Sequence, residues 1–254
     1  MEQTFKPLSR EPAYRKVSNA IEEKIRDGTL KVGQVLPTEA ELRVQFDVTR
    51  ATVREGIRLL ENAGLVTRGA KKRLFVTVPD TRDVALTASR SLSLQGATFR
   101  EVWETLEAFY PLAVELATER LSDEVIDELE AIQAKIAKAD EESGELIADA
   151  MSFIQLIAKG LDNTVMETMI EALNMMSGES LLQVIGNAPN PRARIAGAQR
   201  EIVEALRQRD KVAARKWMSK AVADFSRLRL IADIDFDEKV VWCDDIYART
   251  TQPS

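Results

Sequence analysis

Apolar residues recur at three- and four-residue spacing through most of the chain, the period of one face of a helix. Tyr14, Val17, Ile21 and Ile25 predict a first helix to about Arg26, stopped by Asp27-Gly28. Gly33 and Pro37 bracket a short extended link. Thr38, with Glu41 three residues later, is a capping box; it opens a second helix that ends near Phe46, with Leu42 and Phe46 turned inward. Asp47-Val48 makes a turn, and Thr49 is an N-cap for a third helix. There Val53, Ile57 and Leu60 form one apolar stripe, and Arg50, Arg54 and Arg58 form a row on another face. After Gly64, Leu65 to Arg68 and Leu74 to Val78 read as two short strands. Gly69 to Arg73 joins them as a hairpin with a basic tip, Lys71, Lys72 and Arg73.

From about Thr98 the helical period returns and persists. Thr98 to Leu121 carries Val102, Leu106, Phe109, Ala113, Leu116 and Ala117. Ser122 N-caps a helix to about Asp140, and Ser143 to Lys159 forms another. Asn163 to Val184 is unusually apolar; its methionines (Met166, Met169, Met175, Met176) read as adaptable core or as part of a ligand box. Gly186 to Pro191 is a break, and Arg192 to Arg209 and Lys211 to about Ile231 complete the set. The expected fold is mainly α: an N-terminal winged helix-turn-helix over residues 12–78, then an all-helical bundle of about six helices over 98–231. Residues 1–11 form a flexible start, 79–97 a linker or helix, and 232–254 a C-terminal extension.

Composition narrows the classes. Apolar residues make up 45% of the 254 positions, enough for a sizeable core. The lone Cys243 excludes a disulfide framework and a cysteine zinc site. No apolar run reaches membrane-spanning length and the start has no signal-peptide core, so a cytoplasmic protein without membrane contact is expected. With no histidine and its one cysteine in the extension, the chain lacks the usual nucleophile–base pairs, so an enzyme is not expected.

The net charge of −6 hides a split. Residues 1–80 hold 15 Lys+Arg against 11 Asp+Glu, a balance of +4; the remainder holds 20 against 30, a balance of −10. The basic half is the one suited to phosphates. Its third helix has the parts of a recognition helix: an apolar stripe to seat it, with Thr49, Arg50, Thr52, Arg54 and Arg58 toward the N-terminal end and outer face. Arg50 and Arg54 are candidates for base or nearby phosphate contacts. Thr49, Thr52, Lys71, Lys72 and Arg73 are candidates for positioning on the backbone. The bland alternatives are a solvated arginine face and a surface hairpin.

These residues resemble the GntR family of bacterial transcription regulators. The carriers are Asp27 to Glu39 (D-G-x-L-x-x-G-x-x-L-P-T-E), Val48 to Glu55 (V-T-R-A-T-V-R-E) and Leu60 to Val66 (L-x-x-x-G-L-V). The chain departs from that pattern at Ala40, where an arginine is usual, and at the wing tip, where Ala-Lys-Lys-Arg replaces a glycine-rich turn. The second half resembles the sensor domain of the FadR subgroup, through Leu116 to Leu121, Gly160 to Asn163 and Ile202 to Met218.

The resemblance implies a homodimer on double-stranded, pseudo-palindromic operator DNA, with repression as the habitual sign. It also implies a small-molecule site in the bundle, commonly built on a divalent metal held by an aspartate and three histidines. Those ligand positions fall here on Ala150, Ile154, Gln199 and Ala221, and a polar pair usual on the first sensor helix falls on Leu106 and Tyr110. Asp149 is one residue away, which turns it about 100° round the helix. No metal and no cofactor are therefore expected. Two outcomes stay open: a pocket for a larger apolar or acyl effector, with Tyr110 and Gln199 fixing one polar end, or a bundle that is packed shut and only dimerises. The extension carries Phe236, Val240, Val241, Trp242, Ile246 and Tyr247, too apolar for a free tail, so it packs on its own bundle or on a partner subunit. A nucleoid-type architectural binder remains a rival; it would show little sequence preference.

Overall fold

The computed structural model describes residues 11–138, 143–231 and 235–240. It divides into two compact units, 1–80 and 81–254.

In the first unit α1 (Ala13–Arg26), α2 (Glu39–Phe46) and α3 (Arg50–Asn62) enclose a core of Val17, Ile21, Leu42, Val53, Ile57 and Leu60. The apolar stripe of α3 is fully buried. Thr38 accepts from the Glu41 amide while the Glu41 carboxylate accepts from the Thr38 amide, closing the capping box. Gly56 permits close crossing of α1 and α3, since a Cβ there would stand 2.9 Å from the Tyr14 carbonyl oxygen and from Val17 Cγ1. Strands β1 (Val66–Arg68) and β2 (Leu74–Val76) pair antiparallel with Val66 opposite Val76. The extended link also pairs, on the other side of β2: Leu36 N donates to Leu74 O at 2.9 Å and Val76 N to Gln34 O at 2.9 Å. The hairpin tip is a single 3₁₀ turn, Ala70–Lys72. Gly69 is required beside it, because a Cβ would lie 2.5 Å from the Phe75 ring.

The second unit holds α4 (Thr81–Leu94), α5 (Phe99–Arg120), α6 (Asp123–Lys138), α7 (Ser143–Gly160), α8 (Thr164–Asn187), α9 (Pro191–Arg207) and α10 (Lys211–Ile231). Helix α8 is apolar nearly all round because α4, α5, α7 and α10 all pack on it. It runs through the predicted break to Asn187, and the chain turns only at Ala188–Asn190. Met166, Met175 and Met176 are buried, so these methionines serve as core.

Two sequence expectations left alternatives open. The stretch 79–97, read as linker or helix, forms α4, and α4 is an integral bundle member packed on α8, giving seven bundle helices among the described residues. The extension's described part, 235–240, lies on its own bundle. There Arg100 N donates to Phe236 O at 2.9 Å, Phe99 N to Glu238 O at 3.1 Å and Val240 N to Ala97 O at 2.8 Å. The first two satisfy amides at the start of α5 that no helix residue can reach, and the third ties Val240 to the residue before the Thr98 cap. Val241, Trp242, Ile246 and Tyr247 lie outside the described residues.

Candidate functional site

Each unit carries one candidate site. In the first, Thr49 caps α3: its hydroxyl accepts from the Thr52 amide at 3.2 Å and pairs with the Thr52 hydroxyl at 2.9 Å. Arg50, Arg54 and Arg58 are exposed along α3, with the Arg50 side chain 68% open. The organising residue is Glu39, at the first turn of α2 and only 17% exposed. Arg54 Nε donates to Glu39 Oε2 at 2.9 Å, Arg68 approaches Oε1 at 3.3 Å and Arg50 Nε lies 3.8 Å from Oε2. Arg68 Nε also meets Glu61 at 2.7 Å. Partial burial works to raise the Glu39 pKa, but the hydrogen bonds and charges of Arg54 and Arg68 outweigh it, and the carboxyl sits below its ordinary range. One carboxylate thus gathers three guanidinium groups beside the N-terminal end of α3. Lys72 and Arg73 are exposed at the hairpin tip, Lys72 in a left-handed conformation; the Lys71 side chain lies outside the described set. Sequence reasoning missed Glu39 and Arg68, which lie 15 and 29 residues from the groups they join.

The second unit encloses a cavity of about 580 Å³. Leu106, Tyr110, Ala150, Ile154, Gln199 and Ala221, the six positions singled out from the sequence, all line it. Trp103, Phe153, Ile202, Val222, Phe225 and Leu228 extend the apolar wall. At the positions where metal ligands were sought, the side chains are two alanines, an isoleucine and a glutamine. One neutral amide with no imidazole or carboxylate does not fit a transition metal. Asp149 is turned away and meets Lys135 Nζ at 2.7 Å.

The cavity has a polar element that the sequence reading did not include. Tyr110, expected to hold one polar end with Gln199, already donates its hydroxyl to Asn174 Oδ1. Burial pushes the Tyr110 hydroxyl far above its ordinary pKa, so it remains a neutral donor. Asn174 was overlooked although it stood out, an amide set among Leu173, Met175 and Met176. The charged lining groups are exposed or half-buried; Arg194 and Asp224 pair at 2.8 Å and Lys220 stacks 4.1 Å over the Trp217 ring.

Comparison with known proteins matches both units. Residues 13–76 match the bacterial regulatory proteins of the gntR family, and residues 101–224 match the FCD domain. The chain thus joins a DNA-binding domain of the gntR family to an FCD domain. Relatives within and around it are transcription regulators rather than enzymes. The mannosyl-D-glycerate transport/metabolism system repressor MngR of Escherichia coli is 43% identical over 53 residues, 21% of this chain and 22% of that one. The HTH-type transcriptional repressor NanR of Klebsiella aerogenes is 32% identical over 155 residues, 59% of this chain and 56% of that one. The aligned part therefore spans less than two thirds of either repressor. The HTH-type regulator YdhC of Bacillus subtilis is 25% identical over 209 residues, 81% of this chain and 85% of that one. A GntR protein of Streptococcus agalactiae has the same fold, with a TM-score of 0.60 at 20% identity over 84% of this chain and 99% of that one. Among the described residues, no helix of this GntR protein is long and apolar enough to cross a membrane.

Proposed function

We propose that this GntR protein is a cytoplasmic transcription regulator that binds double-stranded operator DNA as a homodimer and answers to a small organic effector. The observation that carries the DNA reading is the exposed N-terminal end of α3, where Arg50 and Arg54 gather round Glu39 beside a basic hairpin. Two recognition helices would enter successive major grooves of a pseudo-palindromic site. Arg50 and Arg54 read base edges or adjacent phosphates; Thr49, Thr52, Arg58, Lys71, Lys72 and Arg73 hold the register on the backbone. Repression is the proposed sign, as in the names of MngR and NanR.

The effector reading rests on the cavity lined by Leu106, Tyr110, Ala150, Ile154, Gln199 and Ala221. Its volume falls within the range of small-molecule sites. Binding would act by favouring one arrangement of the DNA-binding units, a population shift.

The test is selection of an operator from a random duplex library, followed by anisotropy titration of variants. Arg50→Ala is expected to lose about 1–3 kcal/mol on the selected duplex and little on random DNA, whereas Lys72→Ala weakens both alike. Equal loss on both duplexes for Arg50→Ala overturns its assignment as a base reader, and failure to select any duplex overturns the operator reading.

A further inference from the structure

Three buried polar atoms along the cavity wall have no hydrogen-bond partner among the described residues: Trp103 Nε1, Asn174 Nδ2 and Gln199 Oε1. Their residues are 8%, 0% and 6% exposed. Orphans of this kind are uncommon in folded proteins, because each carries an uncompensated desolvation cost. Here three belong to residues of one cavity whose other buried lining residues are all apolar. Two are donors and one is an acceptor. The Asn174 donor and the Gln199 acceptor are together complementary to a guest that accepts and donates at once.

Charge decides what the buried end of such a guest can be. No ionised side chain on the lining is buried: Arg194, Arg200, Lys220 and Arg227 are exposed, and Glu201 and Asp224 are half-buried. Arg194 is engaged by Asp224, and Arg200 approaches Glu201 at 3.3 Å. A carboxylate pushed inward would leave water for neutral donors alone, with no cation to repay its desolvation. A neutral amide would not incur that cost. Its carbonyl can accept from Asn174 and its N–H can donate to Gln199. Its apolar body can lie along Leu106 toward Trp103, two turns of α5 from Tyr110 and so about 10 Å along the helix axis.

We infer that the effector of this protein is an uncharged organic molecule whose buried end is a neutral donor–acceptor group of the amide type, held by Asn174 and Gln199. This inference rests on the effector reading of the cavity given above and names its chemistry.

The test is calorimetric titration of the full chain, at neutral pH, with matched pairs: hexanamide, octanamide, decanamide and 3-phenylpropanamide, each against its carboxylate. Each amide is expected to bind at least ~10-fold tighter than the acid of the same skeleton, as for a site whose buried polar groups are otherwise left unpaired. In Gln199→Leu the preference should shrink below ~3-fold while the gain with chain length persists, since only the polar recognition is removed. Acids that bind as well as amides overturn the inference, leave the effector reading standing and place the acid head at Arg200 or Lys220. A preference that Gln199→Leu does not alter also overturns it. If no member of either series binds while the duplex titration above is intact, the effector reading itself fails.

Discussion

Replacing Gln199 by leucine should make this protein more stable. Gln199 is almost wholly buried on α9, yet its Oε1 has no partner among the described residues. An acceptor left dry in this way costs about 1–3 kcal/mol of folding free energy. Leucine is close in volume, carries no polar atom and faces an apolar wall that includes Ile154 and Ile202. The substitution therefore removes the penalty and adds little strain. In a unit of this size each kcal/mol moves the midpoint by about 2–4 °C, so the melting of the C-terminal unit should rise by roughly 2–12 °C. Calorimetric melting of the ligand-free full chain is the assay. Gln199→Ala should lower the midpoint, because it removes the same acceptor but also the packing atoms. A fall or no change for Gln199→Leu would refute the reasoning and mean that the amide is satisfied in solution. A rise would mark a position where stability has been given up, as expected where a side chain is kept for a ligand.

Other predictions concern the remaining features. Glu39→Gln frees Arg54 from a partly exposed pair of about 0.4–1 kcal/mol, so affinity for random duplex DNA should rise roughly two- to five-fold, read by anisotropy. The same variant should flatten the acid limb of stability: a carboxyl whose folded pKa is depressed contributes above its ordinary value near 4.5 and loses that contribution as pH falls through the folded value. Gly56→Ala drives a methyl against the Tyr14 carbonyl, and overpacking of about 1–3 kcal/mol should exceed the gain in helix propensity of about 1 kcal/mol. Urea unfolding followed in the N-terminal unit would register it. Phe236→Ala removes the edge contact with Trp103 and the cation–π contact with Arg100, and should raise amide exchange at Phe99 and Arg100 well above the neighbouring turn.

Local chemistry was legible where it acts over a few residues. The capping box at Thr38, the stripe of α3 and the N-cap at Thr49 all follow from spacing alone. Helix α4 was harder to place because its packing is inverted. Its buried residues are the small Ala85 and Ser89, while Val84, Leu92 and Leu94 are exposed, Leu94 at 89%. A hydrophobic period cannot reveal a helix seated by its small side chains. The cluster at Glu39 was hidden for another reason: four residues from three elements meet there, and pairing at that separation leaves no periodic trace. The cavity wall was reached through a family resemblance at six positions. Its buried amides were not, since an asparagine in an apolar helix announces a cost without saying what offsets it.

The segment 235–240 gives the cavity a second listener. Phe236 rests edge-on against Trp103 at 6.4 Å, and the other side of that indole's environment is the cavity wall. Whatever presses on the indole from within is transmitted to the start of α5 and to the chain that crosses it. Thermodynamic reciprocity then sets a bound: if a guest tightens this segment by some factor, loss of the segment must weaken the guest by the same factor. The segment 235–240 is in that sense a gauge of occupancy, and its protection from exchange can be read without knowing what the guest is.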